Sequence, residues 1–163
     1  MITIRCTKKL LDRIGAPSPL PAPTTAILGD WYARPVAVAH QRLVLLISER
    51  SRLPVVMPAR DVKHLAVNFP DSLAAVLWGL GISAAVIQRE LEAAREAVIA
   101  KTNSRSHLGT LNDFSYLLRG HMGNAPGLDL VDLALWLSNA PVAPLGMSSP
   151  DRVTRDLLTQ RGG

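Results

Sequence analysis

Apolar residues form three short runs in the first third of the chain, separated by short polar segments. Residues 33–39, 43–48 and 53–57 are rich in Val, Leu, Ile and Ala, which predicts three antiparallel strands joined by tight turns. The second run is apolar on both faces and is therefore predicted to be the central strand. Residues 2–6 predict a further short strand, followed by a helix that Thr7 can cap and Gly15 can end.

After Pro58 the apolar positions recur with a helical period. Helices are predicted from about Pro70 onward, after Ser83, over residues 128–138 and over Pro150–Gln160. Residues 98–102 fit either the end of a helix or a short strand, and we favour the strand. Strands followed by helices are typical of the α+β class. We therefore expect an N-terminal strand and helix, an antiparallel sheet of three to five strands, and a mostly helical C-terminal half packed on that sheet.

The length of 163 residues corresponds to one domain of average size. Four prolines lie within residues 17–23, which predicts an extended surface connector and not a helix. Only sixteen residues precede this segment, too few to bury a core alone. We therefore expect a single α+β domain over residues 1–163.

Hydropathy and cysteine content favour a soluble cytoplasmic protein without membrane attachment. No apolar run approaches the roughly 18 residues of a membrane span, and the N-terminus does not resemble a signal peptide. The single cysteine, Cys6, cannot form an internal disulfide. A small buried strand residue is the favoured role for Cys6, although the neighbouring Lys8 and Lys9 would also suit a reactive thiol.

The positive charge is concentrated near the N-terminus. The formal net charge is +5, and residues 1–60 hold nine basic and three acidic side chains. Such a cluster can attract phosphate-bearing partners. The excess of Arg over Lys favours the alternative, a compositional bias that leaves a merely solvated basic surface.

Several common catalytic motifs are absent from the sequence. It contains no P-loop, no dinucleotide-binding glycine pattern, no Gly-x-Ser-x-Gly and no His-Glu-x-x-His. The four histidines show no paired spacing. We therefore expect no metal and no cofactor.

The densest polar stretch covers residues 101–113 and leads into an amphipathic segment, residues 111–119. Thr110 is placed as the N-cap of a helix over that segment. Backbone N–H groups after Gly109, with Lys101 and Arg105 nearby, would suit an anion. The alternative is a well-capped loop without a ligand, because Asp113 competes with an anion for the same helix end.

Two further clusters are candidates to meet this segment. Residues 5–9 bring Arg5, Lys8 and Lys9 to the junction of a strand and a helix. Residues 28–33 combine a turn, Asp30 and the aromatic pair Trp31 and Tyr32. Aromatic rings beside cations can stack on bases, although core and rim positions are the alternative for these two rings.

Together the three clusters resemble a bacterial domain family of unknown function. Its members open with an Arg-Cys-Thr-x-Lys-Leu-like segment, continue with Leu-Gly-Asp-Trp-Tyr-Ala, and later carry Lys-Thr-x-Asn-Arg-Ser-x-Leu-Gly-Ser-Met-Asn-Asp. The matching positions are Arg5, Cys6, Thr7, Lys9, Gly29, Asp30, Trp31, Tyr32, Lys101, Thr102, Arg105, Ser106, Gly109, Asn112 and Asp113. The sequence departs from the pattern at Arg34, Ser104 and Thr110-Leu111. The resemblance implies no particular activity, but it hints at a mobile-element or toxin–antitoxin context.

Three functions remain open from the sequence. The first is binding of a phosphate-bearing ligand, a nucleotide or nucleic acid, in one shared cleft. Its residues would be Arg5, Lys8, Lys9, Trp31, Tyr32, Lys101, Arg105, Ser106, Gly109, Thr110 and Asn112. The second is a small enzyme acting on a phosphorylated or nucleotidyl substrate, with Asp30 or Asp113 as general base and Arg105 steadying negative charge. The third is an antitoxin-like module that binds another protein. Whether the protein is an enzyme stays undecided.

Overall fold

The structure, a computed structural model, describes residues 1–15, 17, 23–60, 62–122 and 129–162. Five strands and six helices lie within these residues: β1 (Ile2–Cys6), α1 (Lys8–Ile14), β2 (Trp31–Val38), β3 (Gln41–Ser48), β4 (Pro54–Pro58), α2 (Leu65–Gly79), α3 (Ala84–Ala94), β5 (Ala97–Lys101), α4 (Arg105–Met122), α5 (Leu130–Leu137) and α6 (Pro150–Gly162). Most of the predicted connector, residues 18–22, lies outside the described part, as does residue 128 of the predicted helix 128–138.

The strands form one sheet in the order β4-β3-β2-β1-β5. The meander β2-β3-β4 is antiparallel, as predicted, but β1 runs parallel to both β2 and β5. The expectation of a purely antiparallel sheet is therefore wrong, and the sheet is mixed. Helix α1 lies between β1 and β2 in the chain, and helices α2 and α3 precede β5. A connection that contains a helix can return the chain in the same direction, which parallel neighbours require.

The apolar run over residues 43–48 predicted β3 as the central strand. This is wrong, because β2 lies at the centre of the sheet. Strand β3 lies one place from the centre, between β4 and β2. It is nevertheless covered on both faces, since its residues 43–48 are all buried. The predicted strand near residue 100 is confirmed as β5, and it extends the sheet on the far side of β1. The α+β class and the helical C-terminal half are also confirmed.

Helices cover both faces of the sheet. Successive residues of a strand point to opposite faces. Trp31 packs edge-on against Phe69 of α2, with ring centroids 4.8 Å apart, whereas Tyr32 stacks on His107 of α4. Helices α2 and α4 therefore lie on opposite sides of β2.

Two predicted helix starts are wrong. Helix α2 begins at Leu65 and runs through Pro70, which was expected at its first turn. Helix α4 begins at Arg105, six residues before the predicted start at Leu111. Ser104 precedes α4 and its hydroxyl accepts a hydrogen bond from the His107 N–H at 3.3 Å, which is the N-cap arrangement expected of Thr110.

Cys6 is fully buried in β1. Burial disfavours the thiolate and raises the pKa of Cys6 to about 12. The role as a small buried strand residue is confirmed, and that of a reactive thiol is wrong. Among the described helices, none is both long and apolar enough to cross a membrane.

Candidate ligand-binding groove

A cavity of about 540 Å³ opens where β1 ends and β2 continues. Register pairing joins Cys6, the last residue of β1, to Ala33, and β2 then runs on to Val38. The chain leaves the sheet at Thr7, whose N–H donates to the Ala33 carbonyl at 3.1 Å, and enters α1. The second half of β2 is therefore unpaired on the side that faces β1, although it stays paired with β3 on the other side. Pro35, which has no N–H to offer a neighbouring strand, lies in this half.

Positive side chains from four elements surround this opening, which we call the basic groove. They are Lys8, Lys9 and Arg13 of α1, Arg34 of β2, Arg42 of β3 and Arg119 of α4. Among the described residues that line the groove, none is acidic. The ion pairs found in the described part of the chain, Arg5–Asp30 and Arg155–Asp151, involve none of these six cations.

Arg34 shows the electrostatic consequence of this clustering. Its guanidinium donates hydrogen bonds to Asn112 Oδ1 of α4 and, at 3.4 Å, to the Pro35 carbonyl. Partial burial and the charge of Arg119 both lower the pKa of Arg34. Two guanidinium groups therefore repel each other across the groove, and an anion placed between them would relieve that repulsion.

Thr7 adds an unsatisfied polar atom to the same wall. Its hydroxyl is buried and has no hydrogen-bond partner among the described residues. It was expected to cap α1, but its side chain makes no capping hydrogen bond. A buried hydroxyl without a partner is costly, and Thr7 itself is one of the residues that line the groove.

A second group of polar side chains lies between the sheet and α4, which we call the α4 polar cluster. Its first part joins Arg5, Asp30 and Glu49. Asp30 Oδ1 accepts from the Thr3 N–H at 2.9 Å, and Asp30 Oδ2 lies 3.6 Å from the Arg5 guanidinium. Burial, with a smaller effect from the Glu49 charge, raises the pKa of Asp30 against the opposing effects of Thr3 and Arg5.

The second part of the α4 polar cluster is built on His107. The Tyr32 ring stacks on the imidazole at 4.1 Å, and Tyr32 Oη donates to Asn103 Oδ1 at 2.7 Å. His107 Nε2 lies 2.9 Å from the Glu49 carbonyl, which can only accept, so Nε2 carries the proton. Nδ1 then accepts from the Ser104 hydroxyl at 2.7 Å. Burial first, and then the charge of Arg52, lowers the pKa of His107, which favours the neutral ring.

The third part of the α4 polar cluster is Arg52, in the turn between β3 and β4. It is 7% exposed and donates to Thr110 Oγ1 at 3.1 Å and to Ser106 Oγ at 3.0 Å. Thr110 is thus buried within α4. Its backbone and that of Gly109 belong to the helix interior, so the expected anion site at their N–H groups is wrong.

The structure divides the predicted ligand residues between these two places. Arg5, Tyr32, Ser106 and Thr110 belong to the α4 polar cluster, whereas Lys8 and Lys9 line the groove and Asn112 holds one of its arginines. Lys101, Arg105, Gly109 and Asp113 are exposed and line neither place. Trp31 is 1% exposed in the core on the other face, so its predicted stacking role is wrong. Residues of all three sequence clusters meet in the α4 polar cluster, whereas only the first cluster, residues 5–9, contributes to the lining of the groove.

Sequence reasoning missed Arg13, Arg34, Arg42 and Arg119. The one local signal was the Arg34-Pro35 pair, because proline within a strand marks an edge. Among the described residues, no three His, Cys, Asp or Glu side chains lie together in a way that could hold a metal ion.

The five-stranded mixed sheet, the helices on both faces and the basic groove at an open strand edge define an α+β protein with a candidate anion-binding site. The chain belongs to a family described as a domain of unknown function, DUF6933, whose model matches residues 3–153. Membership of a domain family of unknown function is what the three sequence clusters predicted. No curated protein and no solved structure matches the chain.

Proposed function

We propose that this protein binds a phosphate-bearing ligand, a nucleotide or nucleic acid, in the basic groove. The observation that carries the proposal is the lining itself, in which six cations and no described carboxylate surround one opening. Cations that are not neutralised within the protein raise the local concentration of anions and speed their association.

The arrangement of the cations supports recognition of phosphate. Arginine presents several N–H donors in a planar fork that matches phosphate oxygens, and four of the six cations are arginines. Thr7, whose buried hydroxyl has no hydrogen-bond partner among the described residues, also lines the groove. Arg34 is already held by Asn112 and the Pro35 carbonyl, so part of the entropy cost of ordering it is met before a ligand binds.

Binding experiments at several salt concentrations test this function. The probes are ATP, inorganic tripolyphosphate, and a labelled single-stranded oligonucleotide and its duplex. Affinity should fall steeply with salt, with a slope of log K against log salt near −3 for about four contacted phosphates on a strand. The double variant Arg34→Gln/Arg119→Gln should weaken binding at least tenfold and make that slope shallower by about one to two units.

A matched double variant controls for net charge. Arg95 and Arg152 are exposed on α3's C-terminal end and on α6, and neither lines the groove. The variant Arg95→Gln/Arg152→Gln removes the same charge and should change affinity less than about twofold. If the two double variants lost affinity equally, binding would depend only on net charge. The proposed groove function would then be wrong.

One observation favours protein interaction as a second candidate function. Trp78 of α2 is 70% exposed and borders an apolar cavity of about 430 Å³ between α2 and α3. Exposed apolar patches frequently mark protein contacts. A partner encoded by an adjacent gene should then copurify with the wild type but not with Trp78→Gln. Copurification that survives this substitution would remove the surface from consideration.

A further inference from the structure

The solvent-facing side of α4 carries an aromatic ring between two glycines. Residues 109, 112, 116 and 120 follow a helical spacing and are all exposed, so they share one face of the helix. Tyr116 is 77% exposed, which makes it the most exposed large hydrophobic side chain in the described part of the chain. Gly109 precedes it by two turns, and Gly120 follows it by one.

Packing within the protein does not explain these glycines. A Cβ added at Gly109 or at Gly120 would meet no atom within 4 Å. Glycine is the least favourable residue of a helix interior after proline, and alanine would fit at both positions. The two glycines leave the helix backbone uncovered on either side of the Tyr116 ring, so a molecule lying along this face can approach closely.

This face borders the basic groove. Arg119 lines the groove and is three residues after Tyr116, whereas Asn112 precedes Tyr116 by four residues and holds Arg34. The ring therefore lies within about one turn of both residues that link α4 to the groove. The one carboxylate of this exposed face, Asp113, lies about 120° around the helix axis from Arg119, away from the groove.

We propose that the groove and this face together bind single-stranded nucleic acid, with a base stacked on Tyr116 and the neighbouring phosphates in the basic groove. This inference rests on the proposed function and names its ligand. Base faces are hidden in a duplex, and an exposed ring beside a basic channel is the usual arrangement for an unpaired strand. A free phosphate or a duplex would use the groove cations but would leave the ring and the glycine-bordered surface without a role.

Fluorescence anisotropy with a labelled oligothymidine of about twelve nucleotides and a duplex of equal length tests the inference. Tyr116→Ala should weaken single-strand binding about tenfold, because one base stack is lost. It should leave duplex affinity within about twofold and the salt slope unchanged, since no charge is removed. Tyr116→Phe keeps the ring and should bind like the wild type, and Trp78→Ala is the control for loss of an exposed aromatic elsewhere.

The glycines provide an independent arm of the test. Gly109→Leu and Gly120→Leu place a side chain on the face without touching the groove, and each should weaken single-strand binding by about fivefold or more while tripolyphosphate binding stays unchanged. Circular dichroism confirms that each variant is folded.

The outcomes separate this inference from the proposed function. If Tyr116→Ala and the leucine variants bind the single strand like the wild type while Arg34→Gln/Arg119→Gln does not, the groove function stands and the stacking inference is wrong. The stacking inference is also wrong if tripolyphosphate binds in the groove but the single strand does not. If no phosphate-bearing probe shows salt-dependent binding to the wild type, the groove function itself is wrong.

Discussion

The Tyr32 ring lies flat on the His107 imidazole, with ring centroids 4.1 Å apart and ring planes inclined by 9°. This stack joins the central strand to α4, and α4 carries both Asn112 and Arg119 to the groove. The imidazole is also fixed from both sides by hydrogen bonds to Ser104 and to the Glu49 carbonyl. These contacts of His107 therefore help to hold α4, and with it one wall of the groove, against the sheet.

His107 should make the protein less stable as the pH falls. Burial lowers the pKa of His107 in the folded state, so the unfolded chain, with a pKa near 6.5, binds the proton first. The contribution of His107 to stability is full above about pH 6.5 and declines as the pH falls towards the lowered folded pKa. Urea unfolding at about pH 7.5 and pH 5.5 measures this decline.

The variant His107→Gln isolates the effect of this one group. Asp30 and Glu90 have raised pKa values, chiefly through burial, and shift stability with pH in the opposite direction. They are common to both proteins, so they cancel in the comparison. The wild type should lose more stability than His107→Gln over this pH range. Equal losses would mean that His107 titrates in the folded protein as it does in the unfolded chain.

Arg52 should contribute strongly to the attachment of α4. Its buried guanidinium donates to Thr110 and Ser106, and hydrogen bonds from a charged donor contribute about 1.5–3 kcal/mol. Arg52→Ala should lower the free energy of unfolding by about 2 kcal/mol in urea titrations. Arg95→Ala, at an exposed position, should change it by less than about 0.5 kcal/mol.

A second substitution at the same position separates the effect of the lost hydrogen bonds from the effect of backbone strain. Arg52 has a φ of 58°, in the left-handed region that costs a residue with a Cβ about 1 kcal/mol or more. Arg52→Gly removes the same hydrogen bonds but relieves this strain. It should therefore be less destabilising than Arg52→Ala by about 1 kcal/mol. The reverse order would show that the backbone at this turn is not strained.

The local pattern of the sequence predicts where the strands and helices lie better than it predicts which of them pack against each other. Apolar runs separated by short polar segments identify the meander, and the spacing of apolar residues after Pro58 identifies most helices. The parallel pairing of β1 with β2 and β5 joins residues that are distant in the chain, so no local pattern encodes it. The start of α4 was missed because Ser104 and Thr110 are both suitable N-cap residues. Contact with Arg52, from a distant turn, buries Thr110 within the helix.

The candidate site was only partly predictable for the same reason. The sequence located Lys8 and Lys9, but Arg34, Arg42 and Arg119 come from three elements that only the fold brings together. Likewise, Trp31 and Tyr32 are adjacent and must point to opposite faces of a strand. Which ring enters the core depends on what packs on each face, and here Phe69 covers Trp31.

Arg119 should reduce the stability of the folded protein. Burial and, to a smaller extent, the charge of Arg119 lower the pKa of Arg34, which is the direction expected of two like charges that line the same groove. Arg119→Gln should raise the free energy of unfolding by about 0.3 kcal/mol at low salt, and the gain should vanish at about 0.5 M salt because the repulsion is then screened. Urea unfolding at the two salt concentrations measures the gain. A gain that is independent of salt would assign it to a cause other than charge.

Cys6 should be unreactive in the folded protein. The thiol is fully buried, and its pKa is raised to about 12, so both access and ionisation oppose attack on a disulfide reagent. A colorimetric disulfide reagent at about pH 8 should label the native protein at least a hundredfold more slowly than the urea-unfolded chain. Cys6 is the only cysteine in the sequence, so the signal reports on β1 alone. Rapid labelling under native conditions would mean that β1 leaves the sheet frequently.

Two glycines of the chain should respond in opposite ways to the same substitution. Gly29 has a φ of 84°, and a Cβ there would collide with the Glu49 side chain, which itself accepts a hydrogen bond from the Asp30 N–H. Gly29→Ala should therefore lower the free energy of unfolding by more than about 1 kcal/mol. Gly109 lies inside α4 with open space around it, so Gly109→Ala should raise the free energy of unfolding by about 0.5–1 kcal/mol.

Thermal or urea unfolding of these two variants checks the contrast directly. Both changes add one methyl group and no charge, so each serves as the control for the other. A stabilising Gly109→Ala would also show that folding does not require glycine at this position, as the proposed close approach of a ligand expects. If Gly109→Ala were instead destabilising, the face around Tyr116 would be shaped by the needs of the helix, and its glycines would cease to support a binding role.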